Sequence, residues 1–176
     1  MRRVRYSVAA SLDGFIADPD GGYDWIIMDP AIDFAEEFAA FDTFVMGRKT
    51  FEVTAAGEFM RMLDDKEVIV FTRTLTSTPH PHVTLLDGSR APGEVVRSLK
   101  GRPGKDISIF GGADMFRQVL DAGVVDTVEV GLMPVLLGQG IPLVAPGPQV
   151  RGMKLVSSRI LASGIVLLTY ALPGPS

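Results

Sequence analysis

Apolar residues along this chain fall into short runs broken by glycine, proline and aspartate. Their β-branched and aromatic content predicts strands at "VRYSVAAS" (4–11), "TFVMG" (43–47), "EVIVFT" (67–72), "DISIFG" (106–111), "TVEVGLMPVLL" (127–137) and "GIVLLTYAL" (164–172). "MKLVSSRIL" (153–161) adds another. Several are apolar at consecutive positions, the pattern of central strands covered on both faces. Between the first of them the period lengthens to that of helices. Asp29 reads as an N-cap with Pro30 at the first helical position, opening a helix through "AIDFAEEFAAF" whose apolar face carries Ile32, Ala35 and Ala39. "APGEVVRSLK" and "ADMFRQVLDAG" read as two more helices, the second stopping at Gly123. The first two-thirds is thus β-α-β-α-β-α-β and the end is strand after strand. That order predicts an α/β fold: a mostly parallel central sheet flanked by helices, with an antiparallel carboxy-terminal ribbon. "LVAPGPQVRG" (143–152) is a turn-rich loop and "PGPS" a loose end.

Composition narrows the function. At 176 residues the chain is most simply one domain with a sizeable core. A net charge of −4 gives no general attraction to nucleic acid or anionic membrane, so the Arg48/Lys49 cluster stands out. The absence of cysteine excludes disulfides, thiolate metal sites and a cysteine nucleophile, and fits a cytoplasmic protein. The start, "MRRVRYSVAASLDG", imitates a signal peptide, but its apolar stretch from Val8 to Leu12 is too short and Asp13 ends it. No apolar run approaches membrane-spanning length.

Ligands of open α/β sheets sit at the carboxyl ends of the parallel strands. Three such ends carry suggestive residues: "GRKT" (47–50), "TRT" (72–74) and "GGAD" (111–114). Gly111 and Gly112 allow a sharp turn and a close backbone approach, and the helix after them aims free N–H groups at the same spot. A glycine pair also serves a plain strand-to-helix turn. Arg48 can fork onto a phosphate while Thr50 donates from a helix start, and Arg73 arrives from the neighbouring strand end beside Thr72. Together the three ends favour a phosphate-rich ligand over a solvated rim. "GRKT" is no Walker A loop and no G-x-G-x-x-G occurs.

"FVMGRKTFE", "VIVFTRT", "ISIFGGADMF" and "VEVGLMPVLLGQGIPLV" stand in the order and spacing of the dihydrofolate reductase-like fold, which the chain resembles over nearly its whole length. "SLDGFIA" (11–17) and "PVLLGQGIPL" (134–143) make it most similar to the branch containing the carboxy-terminal reductase domain of riboflavin biosynthesis. The resemblance implies NADPH as cofactor and hydride transfer to a small-molecule substrate. It implies that Gly47, Arg48, Lys49 and Thr50, with Thr72 and Arg73, hold the adenosine 2′-phosphate and neighbouring phosphates. Gly111, Gly112, Ala113, Asp114 and Met115 would cradle the pyrophosphate, and Ala9 and Ile16 would lie against the nicotinamide. One departure matters: Asp114 stands where the family can have a cation. A two-fold dimer through the apolar carboxy-terminal strands is also implied.

The substrate side is thinner. Asp13 either contacts substrate, as similar positions do in this branch, or forms a turn. Asp33 lies near the acid that dihydrofolate reductases set against the pterin, or is a helix-start carboxylate. Trp25 either stacks on a heterocycle or packs in the core. No catalytic residue stands out. His80 and His82 lack a carboxylate or cysteine beside them, so no metal site is expected. The H-x-E and P-C-x-x-C motifs of the deaminase that accompanies this reductase in bifunctional enzymes do not occur. The uncommitted cations are Arg2, Arg3, Arg61 and Lys66. Two readings follow: an NADPH-dependent reductase of an aminopyrimidine-type, pterin-type or other small heterocyclic or carbonyl substrate, or a nucleotide-binding module without turnover.

Overall fold

In the computed structural model, which describes residues 1–173, β1 (Val4–Ser11) runs through the middle of the main sheet. Its other strands are β3 (Phe41–Gly47), β4 (Glu67–Phe71), β5 (Val83–Leu86), β6 (Asp106–Ile109), β7 (Thr127–Met133), β9 (Lys154–Ile160) and β10 (Val166–Ala171). They lie in the order β5-β4-β3-β6-β1-β7-β10-β9. The strands from β5 to β7 are mutually parallel, while β10 runs antiparallel to β7 and β9 antiparallel to β10. This is the predicted parallel sheet with its antiparallel ribbon. Edge strand β5 did not show in the sequence pattern, nor did two short strands, β2 (Phe15–Ala17) and β8 (Ile141–Pro142), that form a ladder of their own. The chain steps outward through β3, β4 and β5, then returns to lay β6 between β3 and β1. That return opens a crevice at the strand ends.

The helices are α1 (Phe34–Ala39), α2 (Arg48–Ala55), α3 (Pro92–Lys100) and α4 (Ala113–Asp121), with a 3-10 turn at Glu58–Leu63. The predicted opening of α1 at Asp29 is corrected. Asp29 accepts from the Ala31 amide at 2.8 Å in a turn, and the helix starts four residues later, capped by Asp33, whose carboxylate accepts from the Glu36 amide at 3.0 Å. A side chain that closes its own turn competes with helix formation. Helix α2 follows Gly47 directly, and its amphipathic pattern, with only Phe51 and Thr54 buried, is too weak to stand out from the sequence. Strand β7 stops at Met133 rather than running to 137, because Pro134 has no N–H for the ladder. The carboxy-terminal tail from residue 174 lies outside the described residues.

Two apolar layers sandwich part of the sheet. On one face α3 and α4 cover Val4, Tyr6, Val45, Ile107 and Ile109, and the Tyr6 ring stacks on Phe116 at 3.7 Å. On the other, α1, α2 and the 3-10 turn cover Phe44, Met46, Val68 and Val70. This second layer reaches only as far as β3 and β4, so the same face of β1 and β7 carries Arg5, Ser7, Ala9, Thr127, Glu129 and Gly131 instead of a core. The expectation of two apolar faces therefore holds for β3 and β4 and fails for β1.

Phe44 anchors the smaller layer, with no exposed surface and edge-on contacts to Phe38, Phe41 and Phe110 at 5.2–5.7 Å between ring centres. Phe44→Ala should destabilise the protein by about 3–5 kcal/mol in urea unfolding. A loss under about 1 kcal/mol would show that this layer repacks freely.

Candidate functional site

The uncovered face and the strand ends join into one cleft of about 3090 Å³. That is several times the roughly 300–1,000 Å³ of a typical single-ligand pocket. One lobe lies over the ends of β4, β3 and β6. Here Gly47, at φ −85°, caps α2 and Gly112, at φ +86°, caps α4, and neither cap offers a side chain to the helix amides. Two uncapped helix N-termini on adjacent strands thus present N–H groups and positive dipole ends to the same space. The turn before α4 is built on consecutive left-handed glycines, since Gly111 has φ +77°. A Cβ at Gly111 would lie 2.9 Å from Thr50 Cγ2, so glycine there lets the β6–α4 turn approach the start of α2.

Cations border this lobe. Arg48 holds Glu52 one turn on, at 2.8 and 2.9 Å, in a half-exposed pair. Such a pair contributes only about 0.3–0.5 kcal/mol, less than the roughly 1.5–3 kcal/mol of a charge-assisted bond to a phosphate. Arg48 is therefore free to exchange partners. The Thr72 hydroxyl accepts from the Thr74 and Leu75 amides at 3.2 and 2.9 Å, shaping the turn that carries Arg73 to the rim. Every residue expected to hold cofactor lines this cleft: Ala9, Ile16, Gly47 to Thr50, Thr72, Arg73 and Gly111 to Met115. Glycine turns, amide-rich helix ends and solvent-accessible guanidinium groups fit a dinucleotide with an extra phosphate. Asp114, in the first turn of α4, faces the cleft as well.

The three residues expected on the substrate side are not brought together there; none lines the cleft. Asp13 accepts from the Ser11 hydroxyl at 2.6 Å and from the Gly138 and Leu137 amides at 2.7 and 3.1 Å, tying the β1–β2 turn to the "LLGQG" loop. Asp33 caps α1. Trp25 packs among Met133, Leu161 and Ile165 with its indole N–H buried and unpartnered. Among the described residues no group of three or more potential metal ligands occurs; His80 and His82 stand together with ring centres 5.8 Å apart.

The second lobe holds residues that sequence reasoning missed. Arg5 forks onto Glu129 at 2.7 and 2.8 Å, and the Ser7 and Thr127 hydroxyls donate to the same carboxylate at 2.8 and 3.1 Å. Burial alone would raise the Glu129 carboxyl, but these hydrogen bonds and the Arg5 charge hold it below its usual value. Across from them Glu37 of α1 reaches into the cleft. Its carboxyl is raised by the enclosing walls and by Glu129, against the opposing pull of Arg5 and Arg159. Of the cations expected to be uncommitted, Arg2 is buried on Asp42 and Lys66 pairs with Asp65. Arg3 does reach the rim. The period-two pattern Arg5, Ser7, Ala9 was a legible sign that one face of β1 is not core.

The profile of the RibD C-terminal domain matches residues 2–167. The chain belongs to the RibD C-terminal domain family. It is 33% identical over 180 residues to the uncharacterized protein YyaP of Bacillus subtilis strain 168, covering 96% of this chain and 94% of that one. Its fold matches a deaminase/5-amino-6-(5-phosphoribosylamino)uracil reductase of Thermotoga maritima at TM-score 0.73 and 20% identity, over 98% of this chain and 57% of that one. It also matches the dihydrofolate reductase of Enterococcus faecalis complexed with NADP(H), at TM-score 0.70 and 18% identity, over 97% and 96% of the two chains. At these identities the structural likeness is one of fold. The dihydrofolate reductase-like architecture is thereby established for this RibD-type domain. No helix among the described residues is long and apolar enough to cross a membrane.

The Asp13 contacts carry a pH signature. Donation from Ser11, then from Gly138 and Leu137, lowers its carboxyl to about 2. A carboxyl depressed on folding stabilises the protein above its unfolded value near 3.9, and that contribution disappears as pH falls through about 2. Urea midpoints of Asp13→Asn should therefore lie below wild type at neutral pH and converge on it between about pH 4 and pH 2. A difference that stays constant across that window would mean the carboxylate charge plays no part.

Proposed function

We propose that this chain is a cytoplasmic NADPH-dependent reductase that reduces a small heterocyclic or carbonyl substrate. The observation that carries the reading is the pair of glycine-capped helix N-termini opening on one cleft beside Arg48 and Arg73. NADPH would supply the hydride; the protein supplies binding, alignment and exclusion of water. The amides of Ala113 to Met115 would hold the pyrophosphate, while Arg48, Lys49, Thr50 and Arg73 would take the 2′-phosphate. Ala9 and Ile16 leave a small apolar floor for the nicotinamide at the end of β1. The cytoplasmic assignment rests on the cysteine-free sequence.

NADPH should bind at least about tenfold more tightly than NADH, a difference of roughly 1.4 kcal/mol. Arg48→Ala should remove most of that preference while changing NADH affinity less than about twofold. Fluorescence titrations of both cofactors into both proteins measure this, and equal wild-type affinities would refute the assignment. Saturable NADPH binding with no oxidation by any heterocyclic or carbonyl substrate would favour the module without turnover.

The carboxy-terminal ribbon supports a homodimer. Strand β9 is an edge strand exposed along its whole length, and Leu155, Val156 and Ile160 are 48%, 60% and 78% exposed. An edge this apolar is ordinarily covered. Light scattering at micromolar concentration should give twice the 18.9 kDa chain mass. A monomer mass would overturn the dimer and leave the reductase assignment standing.

A further inference from the structure

The ladders fix a row of side chains across the floor of the second lobe. Ala9 pairs with Gly131, Gly131 with Leu167, and Leu167 with Arg159. Directly paired residues project from the same face of a sheet. The row therefore starts at the expected nicotinamide contact and ends three strands away, about 14 Å at roughly 4.8 Å per strand, in a guanidinium. Its middle is bare, because Gly131 has no side chain. The neighbouring row, Ser7, Glu129, Thr169 and Ser157, is polar throughout.

Most charge in this lobe is already spoken for. Arg5 occupies Glu129, and Arg3 and Arg5 share Asp106 at 3.0 and 3.5 Å. Two groups remain. Glu37 feels its charged neighbours only through space, and no hydrogen bond or ion pair engages its side chain among the described residues. Arg159 has a single weak partner, the Ala31 carbonyl at 3.3 Å. An acceptor-only carboxylate and a donor-only guanidinium, close enough to feel each other's charge, complement a neutral edge that offers one N–H and one C=O. A phosphate would meet only one uncommitted cation there, with two carboxylates close by, and like charges in a cleft oppose binding. Ile32 and Leu167 supply apolar surface for the faces of a ring.

We propose that Glu37 and Arg159 recognise the substrate, and that it is an uncharged planar heterocycle with an amide edge rather than a phosphorylated compound. This deepens the reductase reading and rests on it. Gly131 sets the depth of the site: a Cβ there would meet Leu167 and Met133 at ordinary distances of 3.5 and 3.6 Å, so a larger residue fits the fold while filling the floor.

The test is calorimetric titration of the full chain, saturated with NADPH, with three probes: 4-quinazolinone, its 3-methyl derivative in which the N–H is masked, and ribose 5-phosphate. Quinazolinone should bind, and masking the N–H should weaken it about tenfold or more, as one lost hydrogen bond to a charged group would. Ribose 5-phosphate should not displace it. Glu37→Leu, Arg159→Leu and Gly131→Val should each weaken quinazolinone about tenfold while leaving NADPH affinity within about twofold and the unfolding midpoint near wild type. Failure of quinazolinone to bind, equal binding of the methylated probe, wild-type affinity in Glu37→Leu or Arg159→Leu, or displacement by ribose 5-phosphate overturns the proposal. If NADPH itself does not bind, the reductase reading falls. Titration without cofactor then decides the pair separately: quinazolinone binding lost in Glu37→Leu upholds it, and no binding overturns it.

Discussion

A central parallel strand is ordinarily apolar on both sides, because helices cover both. Strand β1 departs from that pattern, and the departure organises the molecule. Val4 and Tyr6 point into the layer under α3 and α4, while Arg5, Ser7 and Ala9 point the other way into open space. A polar face in mid-sheet cannot be sealed by an apolar helix without large desolvation cost. The second layer of helices therefore stops at β3 and β4, and the cleft is what remains uncovered.

The same alternation sets the electrostatics of the floor. Arg5 has no route to bulk water along a central strand except through the cleft, and Glu129, one strand away, answers its charge bidentately. The Ser7 and Thr127 hydroxyls complete the carboxylate's partners. Fully partnered, the group is rigid and close to neutral as a unit, so it forms a floor rather than a reactive centre. Recognising groups must then come from its margins, where Glu37 of α1 and Arg159 of the edge strand β9 line the cleft. Proline and glycine punctuation serves a parallel role at the other lobe. Gly111 and Gly112 turn the chain so that α4 begins facing the crevice, and Gly47 does the same for α2. Loop anchoring by Asp13 closes the far side, with one carboxylate fixing two backbone amides.

Much of this was legible before any coordinates. The longer strands, three of the four helices, the parallel sheet and its antiparallel ribbon follow from period and punctuation, because strands and helices impose different spacings on apolar residues. That the residues expected to hold cofactor share one cleft was legible for a related reason. Strand-end glycines, cations and hydroxyls sit in contiguous motifs, and a parallel sheet sends all such ends to one edge. The family resemblance rested on the same motifs.

What the tertiary structure alone decided is which separated residues meet. Nothing in the run "TVEVGLM" says that Glu129 lies opposite Ser7 and beside Arg5; that depends on β7 pairing with β1 in one register out of several. Arg159, on an edge strand far along the chain, enters the same row as Ala9 only through two further antiparallel pairings. For Asp13, Asp33 and Trp25 the sequence left a substrate contact and a local role side by side, and the structure shows the local partners of each: a loop, a helix start and an apolar cluster. Sequence determines the period of each element and the chemistry at its ends. Register, which is a long-range free-energy choice among strands, determines which of those side chains share a face.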